Sequence, residues 1–291
     1  MNYWLMSAEE PGCKKVCNVK VQNQSFTGHW PNRRERVMRM EAGEFFITPA
    51  ETALGGSVYS FFGKEADKKW TNMICRGITT VLLLMPVKSR RELEEHGRNI
   101  QRELAPPVDY MLVPSIPSNR LTSTFIQGVI LNKYPLIEVT FSSYNDCKNV
   151  AWDWIRQAVG PSTLSFMFRF PPPETLKENR LKTEWENGLA AEFPVLPLKS
   201  GPVLNKKELQ FCGLYPKKGS VVRGDADYLL YYKSEQAGRT RKEALISDRN
   251  PDIVVMRGHV LKAGSVCTST APSGNCCAGI FPGRLRSIDY A

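Results

Sequence analysis

The sequence predicts an α/β protein: an incomplete or shortened TIM-like βα barrel inserted in a small β-sandwich made from both chain ends. Three observations predict it. From residue 45 to about 190, apolar strand-like runs alternate with amphipathic helical patterns, the signature of parallel βα units. The last third carries short strands joined by turns, too few for a core of their own, so pairing with strands in residues 1–44 is the natural solution. The barrel-like span is also too short for eight units, which take ~250 residues. The resulting domains are 1–44 plus 209–291 for the sandwich and 45–208 for the barrel-like part.

Taken in order, residues 1–44 are polar, and Val16–Val21 and Arg36–Met40 alternate weakly, which suggests short strands. Phe45–Ile47 reads as a buried strand closed by Pro49. Ile47–Ser57, with Gly55-Gly56, then reads as the turn after the first parallel strand, where such barrels keep their chemistry. Lys64–Arg76 is helical, with Trp70, Ile74 and Cys75 on one face and Gly77 ending it. Ile78–Met85 is an unbroken β-branched and leucine run, a strand covered on both faces. Ser89–Leu104 is a polar helix capped by Ser89. Val108–Val113, Leu136–Phe141 and Leu164–Phe168 follow as strands, with helices over Thr122–Asn132, Asp146–Val159 and Glu174–Leu189. Proline-rich Phe193–Val203 is a crossing segment. Beyond it the pattern predicts a helix over Lys206–Cys212 and strands at Ser220–Val222, Tyr228–Tyr232, Ile253–Met256 and His259–Leu261.

Composition narrows the function. The chain has 291 residues, 42% of them hydrophobic, as in a folded globular protein. No apolar run reaches the roughly 18 residues of a membrane span, and the N-terminus lacks a basic start before an apolar stretch. A cytoplasmic protein without a membrane partner is therefore expected. The net charge of +10 favours anionic partners in principle. Its basic residues alternate with acidic ones, however, and pairs such as Lys206-Lys207 and Lys217-Lys218 read as a solvated face rather than a nucleic-acid site. Eight scattered cysteines read as free thiols, with Cys75 and Cys212 as small core residues and Cys276-Cys277 as exposed.

Certain stretches also resemble a known family. Phe211-Cys-Gly-Leu-Tyr-Pro-Lys-Lys-Gly-Ser-Val-Val-Arg-Gly-Asp-Ala-Asp-Tyr-Leu-Leu230 resembles the end of dihydropyrimidinase-like cyclic amidohydrolases. So do Asn250-Pro-Asp-Ile-Val-Val-Met-Arg-Gly-His-Val-Leu261 and Ala278-Gly-Ile-Phe-Pro-Gly-Arg284. Ala42-Gly-Glu-Phe-Phe-Ile-Thr-Pro49 and Arg76-Gly-Ile-Thr-Thr-Val-Leu82 look like the start of that family's metal-dependent barrel. The resemblance spans roughly residues 40–145 and 205–285. It implies a β-sandwich with a barrel, dimers or tetramers, and hydrolysis of cyclic C–N bonds by a two-metal site, in which the cations share a hydroxide of lowered pKa.

That resemblance also says which ligands to look for: two histidines after the first strand, a bridging carboxylated lysine, and further histidines and an aspartate from later strands. Aligned on Pro49, the first two positions fall at or near Gly55 and Ser57, and Glu138 falls near the lysine. Gly55, Ser57 and Glu138 thus read as a vestigial pocket, without catalytic, cofactor-binding or metal-ligating residues and with the family's zinc site lost. The three histidines, His29, His96 and His259, lie outside the ends of the barrel strands. Cys13 and Cys17 with His29 lack a fourth zinc ligand, Cys147 lacks a histidine partner, and Asp225 with Asp227, a pair of carboxylates, is by the resemblance the turn leading into a sandwich strand, far from any pocket. The expectation is a non-catalytic amidohydrolase homologue, a binding or scaffold protein. It would form homo-oligomers or bind a protein partner, since an incomplete ring exposes strand edges unless a segment covers them. The alternative is a cyclic-amide hydrolase with an altered metal site using Glu138, Asp109 or Asp146.

Overall fold

The computed structural model describes residues 2–11, 16–28, 37–63, 65–162, 164–196, 203–233, 249–267 and 273–277. The chain opens with β1 (Tyr3–Glu9), β2 (Val16–Gln22), β3 (Ser25–Gly28), β4 (Met38–Glu41) and β5 (Phe45–Pro49). The βα part follows: β6 (Glu51–Ser57), α1 (Ala66–Cys75), β7 (Ile78–Pro86), α2 (Arg90–Glu103), β8 (Asp109–Pro117), α3 (Ser123–Leu131), β9 (Leu136–Thr140), α4 (Trp152–Val159), β10 (Ser165–Arg169) and α5 (Leu176–Glu192). The tail holds α6 (Lys206–Phe211), β11 (Gly224–Asp225), β12 (Tyr228–Tyr232), β13 (Ile253–Met256), β14 (His259–Ala263) and β15 (Val266–Cys267).

Both chain ends share one sheet of ten strands, in the order β11-β3-β2-β1-β5-β12-β13-β14-β15, with β4 beside β1. The join is β5 against β12, antiparallel from Phe45↔Tyr232 to Pro49↔Tyr228. Tyr3, Leu5, Val21, Phe26, Ile47 and Tyr228 pack into one core on its inner face, where the Tyr3 and Tyr228 hydroxyls meet at 2.8 Å. On its other face, Leu229, Tyr231 and Val254 join the core of the βα part. Gly77 lets the two units approach: it has φ +88°, and a Cβ there would meet the Leu229 side chain at 2.6 Å.

The βα part is a five-stranded parallel sheet, β10-β9-β8-β7-β6. Its helices start where the caps stand: Ser89, Thr122 and Thr175 each accept the backbone N–H three residues on. Val81, Leu83, Leu112 and Val139 face the helices together with Leu93, Phe125 and Ile155. Leu82, Leu84, Met111 and Met167 face the other way, and there α6 and the turn after it cover them through Leu209, Cys212 and Leu214. The inner face, which lines the centre of a complete barrel, is filled by the tail.

The first parallel strand is not Phe45–Ile47. That segment belongs to the large sheet, and Glu51–Ser57, expected as a turn, is itself a strand paired with β7. Gly55-Gly56 produces a bulge between Leu54 and Gly56 rather than a turn. Asp146–Val159 is not one helix: a 3-10 turn over Tyr144–Asn149 precedes α4, because Val150 is extended (ψ 131°). Ser220–Val222 is not a strand; the ladder there is only Gly224–Asp225 against Ser25 and Phe26. Ala278–Arg284 lies outside the described residues.

Both edges of the parallel sheet are covered in part. The Phe166 N–H donates to Pro194 O at 2.8 Å beside β10, and the Leu204 N–H to Thr52 O at 2.8 Å beside β6. A covering segment, one of the two outcomes expected for an incomplete ring, is present at both edges. Among the described residues, no helix is long and apolar enough to cross a membrane.

Candidate functional site

Period-two alternation along the parallel strands sends Ser115 (β8), Glu138 (β9) and Arg169 (β10) to the inner face toward their C-terminal ends. The register agrees with this grouping, since Ser115 pairs with Glu138 and Arg169 lies two residues past Met167, the partner of Glu138. Glu138 is 2% exposed. The Arg169 Nε donates to its Oε1 at 2.6 Å, and the Ser115 hydroxyl donates to its Oε2 at 2.5 Å. Both oxygens are thus engaged, and the Arg169 side chain, 46% exposed, closes the group toward solvent. A carboxylate held this way neither takes up a metal nor removes a substrate proton until the guanidinium moves away. Arg169→Leu should cost roughly 1–3 kcal/mol by leaving Glu138 buried with one partner, and Glu138→Gln in that background should recover part of it. Urea denaturation of both variants checks this.

Gly55 and Ser57 do not join this group in the way the resemblance implies. A Cβ on Gly55 would run into the side chain of Val81 and approach Leu83, both on the helix side. No side chain fits there unless Val81 moves. Ser57 ends β6, and its carbonyl accepts the Ser60 hydroxyl at 2.8 Å. Among the described histidines, His96 lies on α2, its Nδ1 3.2 Å from the Tyr59 hydroxyl, and His259 is on β14. His29 and Cys13 lie outside the described residues. Among the described residues, the donors to Glu138 are therefore a guanidinium and a hydroxyl, which do not make the donor set of a two-zinc site.

Asp146 is occupied as well: Ser142 and Ser143 N–H groups donate to its Oδ2 at 3.0 and 2.9 Å, and the Ser143 hydroxyl to Oδ1. These bonds hold its carboxyl below the usual range. Burial pushes the neighbouring Cys147 thiol up to about 12, which suits a structural thiol rather than a nucleophile. The described cysteines are unbridged. Cys212 is buried as expected; Cys75 is only half-buried, and Cys277 is buried rather than exposed, because the tail backbone donates from its N–H to Tyr110 O at 2.6 Å beside β8.

The largest departure from expectation lies at the other end of β8. Lys218, read as part of a solvated pair, is 2% exposed. Its Nζ is 2.5 Å from Asp109 Oδ2, 2.8 Å from Asp225 Oδ2 and 2.6 Å from Asp227 Oδ2. Arg257 adds a backbone N–H to Asp227 Oδ1 at 2.7 Å and a guanidinium 3.3 Å from Asp109 Oδ1. The Asn275 N–H donates to the same Asp109 oxygen at 2.7 Å. Burial opposes a charge on Lys218, but attraction to Asp227 and Asp109 outweighs it and holds its pKa above the ordinary value. Among the described residues, Asp109, Asp225 and Asp227 are the one acidic trio able to converge on a cation, and the cation in their midst is the lysine. Sequence reasoning passed over this cluster. The available signal was Asp109, an acid inside the apolar run Val108–Val113, since a buried carboxylate demands a partner charge.

No protein-family model and no curated protein sequence matches the chain. Solved structures do. A dihydropyrimidinase from Brevibacillus agri superposes with a TM-score of 0.60 at 9% identity, over 97% of this chain and 99% of that one. The fold is that of the amidohydrolases. A second amidohydrolase-fold structure, the N-isopropylammelide isopropylaminohydrolase from Burkholderia multivorans, gives a TM-score of 0.56 at 10% identity, covering 92% of this chain and all of its own. A D-hydantoinase (dihydropyrimidinase) from Thermus sp. gives 0.54 at 10% identity, over 95% and 99% of the two chains. β6 to β10 are the five strands of this chain's parallel sheet, and Glu138 lies on β9, the fourth of them in chain order.

Proposed function

We propose that this chain is a non-catalytic protein of amidohydrolase fold that acts as a binding or scaffold protein, alone or as a homo-oligomer, without a resident zinc pair. One observation carries the reading: Glu138, at the strand-four position where the resemblance places the bridging lysine, is committed on both oxygens to Arg169 and Ser115. The α6 cover over the inner face supports it, since a substrate there would have to displace Leu209 and Leu214. Metal analysis of the purified protein, with assays on hydantoin, dihydropyrimidine and dihydroorotate, tests it. Fewer than two zinc ions per chain and no turnover are expected; two bound zinc ions per chain would sink the proposal.

A second reading, a cyclic-amide hydrolase with an altered or single-metal site, draws on the fold shared with hydrolases. Of the carboxylates it could use, Asp146 caps a turn and Asp109 binds Lys218, which leaves Glu138. This reading predicts turnover that disappears in Glu138→Gln.

A further inference from the structure

We propose that a cavity between the N-terminal ends of β8 and β9 binds a small organic acid, its carboxylate at Arg98 and Lys133 and its short apolar chain against Met111 and Leu112. β7 and β8 are paired from Asp109 onward, and β9 and β10 from Leu136 onward. β8 and β9 pair only at Ser115–Pro117 and Glu138–Thr140, so their N-terminal ends are not bonded to each other. The tail takes up part of that split at Tyr110, whose N–H donates to Asn275 O at 3.0 Å. Beside it lies a cavity of about 210 Å³, toward the other end of the strands from Glu138. It is smaller than the ~300–1,000 Å³ of drug-sized pockets, so its ligand is small.

The walls sort by chemistry. Met111 packs with the inner face of the sheet and Leu112 with the helix side, so a cavity that touches both follows the unpaired edge of β8. Both are 2% exposed and form an apolar floor. Arg98 on α2 and Lys133, just past α3, are exposed and stand at the mouth. The Arg98 Nε donates to Glu94 O at 3.1 Å, and neither cation has a carboxylate within ion-pair distance among the described residues. Glu94 also lines the cavity, but it is paired with Arg90. The uncompensated charge at the mouth is therefore positive.

Tyr134 adds a neutral donor. Its hydroxyl lies over Gly97, where a Cβ would approach it to 2.4 Å, and it has no hydrogen-bond partner among the described residues. Burial pushes its pKa up to about 12, so it stays protonated and can donate to an oxyanion. Lys133 carries a further sign. It adopts φ +59° after the end of α3, a left-handed conformation that glycine takes at lower cost. A lysine there sets a cation at the mouth at a cost in backbone energy.

The site is separate from Glu138 and does not depend on whether the chain has lost catalysis, so its failure would leave the reading above standing. A saturation-transfer NMR titration of the full chain with butyrate tests it. Butyrate should bind saturably, with an affinity on the order of 1 mM for so few atoms. Butylamine, of similar shape and opposite charge, should not bind. Inorganic phosphate, an oxyanion without the chain, should displace butyrate only at about tenfold higher concentration. Arg98→Gln should weaken butyrate about tenfold, through loss of a charge-assisted hydrogen bond, with circular dichroism showing the fold intact. Lys133→Gly separates binding from structure: it should weaken butyrate about fivefold while the urea midpoint holds or rises, since glycine suits the left-handed conformation. No saturable butyrate binding, butylamine bound as well as butyrate, phosphate as effective as butyrate, or both variants binding like the parent would each overturn it.

Discussion

Lys218→Met should lower stability by roughly 3–5 kcal/mol, the cost of removing one partner from a buried ion cluster. The ammonium it removes touches Asp109, Asp225 and Asp227 within 2.8 Å. Arg257 alone cannot compensate three carboxylates, and water has little access to Asp109 or Asp227, each 2% exposed or less. Chemical denaturation of parent and variant gives the number; a loss below about 1 kcal/mol would mean that the cluster is solvated or that the carboxylates take up protons at little cost. The pH dependence has a definite sign. Because the folded-state pKa of Lys218 is raised, its contribution is complete below the unfolded-state value near 10.4 and is lost as pH rises through the folded value. The gap between parent and Lys218→Met should therefore persist through neutral pH and narrow in strong alkali, and it should narrow in acid as well, where the carboxylates take up protons.

Leu209→Ala should cost roughly 2–5 kcal/mol, as for a buried leucine in a close-packed core. Leu209 lies on α6 and packs with Leu82, Met111 and Met167 on the inner face of the parallel sheet. Leu176→Ala is the control: at 90% exposure it should change stability by no more than about 0.5 kcal/mol. Urea midpoints of the two variants decide the matter. Equal, small effects would mean that α6 rests loosely on the sheet and that the inner face is open to ligands, which would remove one support for a non-catalytic role.

Much of the fold was legible because it is local. The β-branched and leucine-rich run at Ile78–Met85, the cap at Ser89 and the alternation beyond residue 45 each report periodicity or backbone satisfaction within a few residues. The joining of both chain ends also followed from the sequence, since strands too few to form a core must find partners elsewhere. The misplaced first strand shows the limit. Phe45–Pro49 and Glu51–Ser57 are adjacent and both extended, and only their partners, β12 and β7, assign them to different sheets. Likewise Lys217-Lys218 and Asp225-Ala-Asp227 look like surface charge until Asp109 is placed beside them.

The sequence by itself determined the parallel βα units, the shared sheet of the two ends and the scarcity of histidine where the resemblance calls for it. Tertiary structure decided what those elements enclose: an inner face filled by α6, a glutamate held by Arg169, and a lysine where three aspartates converge. The physical reason is range. Helix and strand patterns arise from neighbours along the chain, whereas the partner of a buried charge can lie 109 residues away, as Asp109 does from Lys218, and only folding brings the two together.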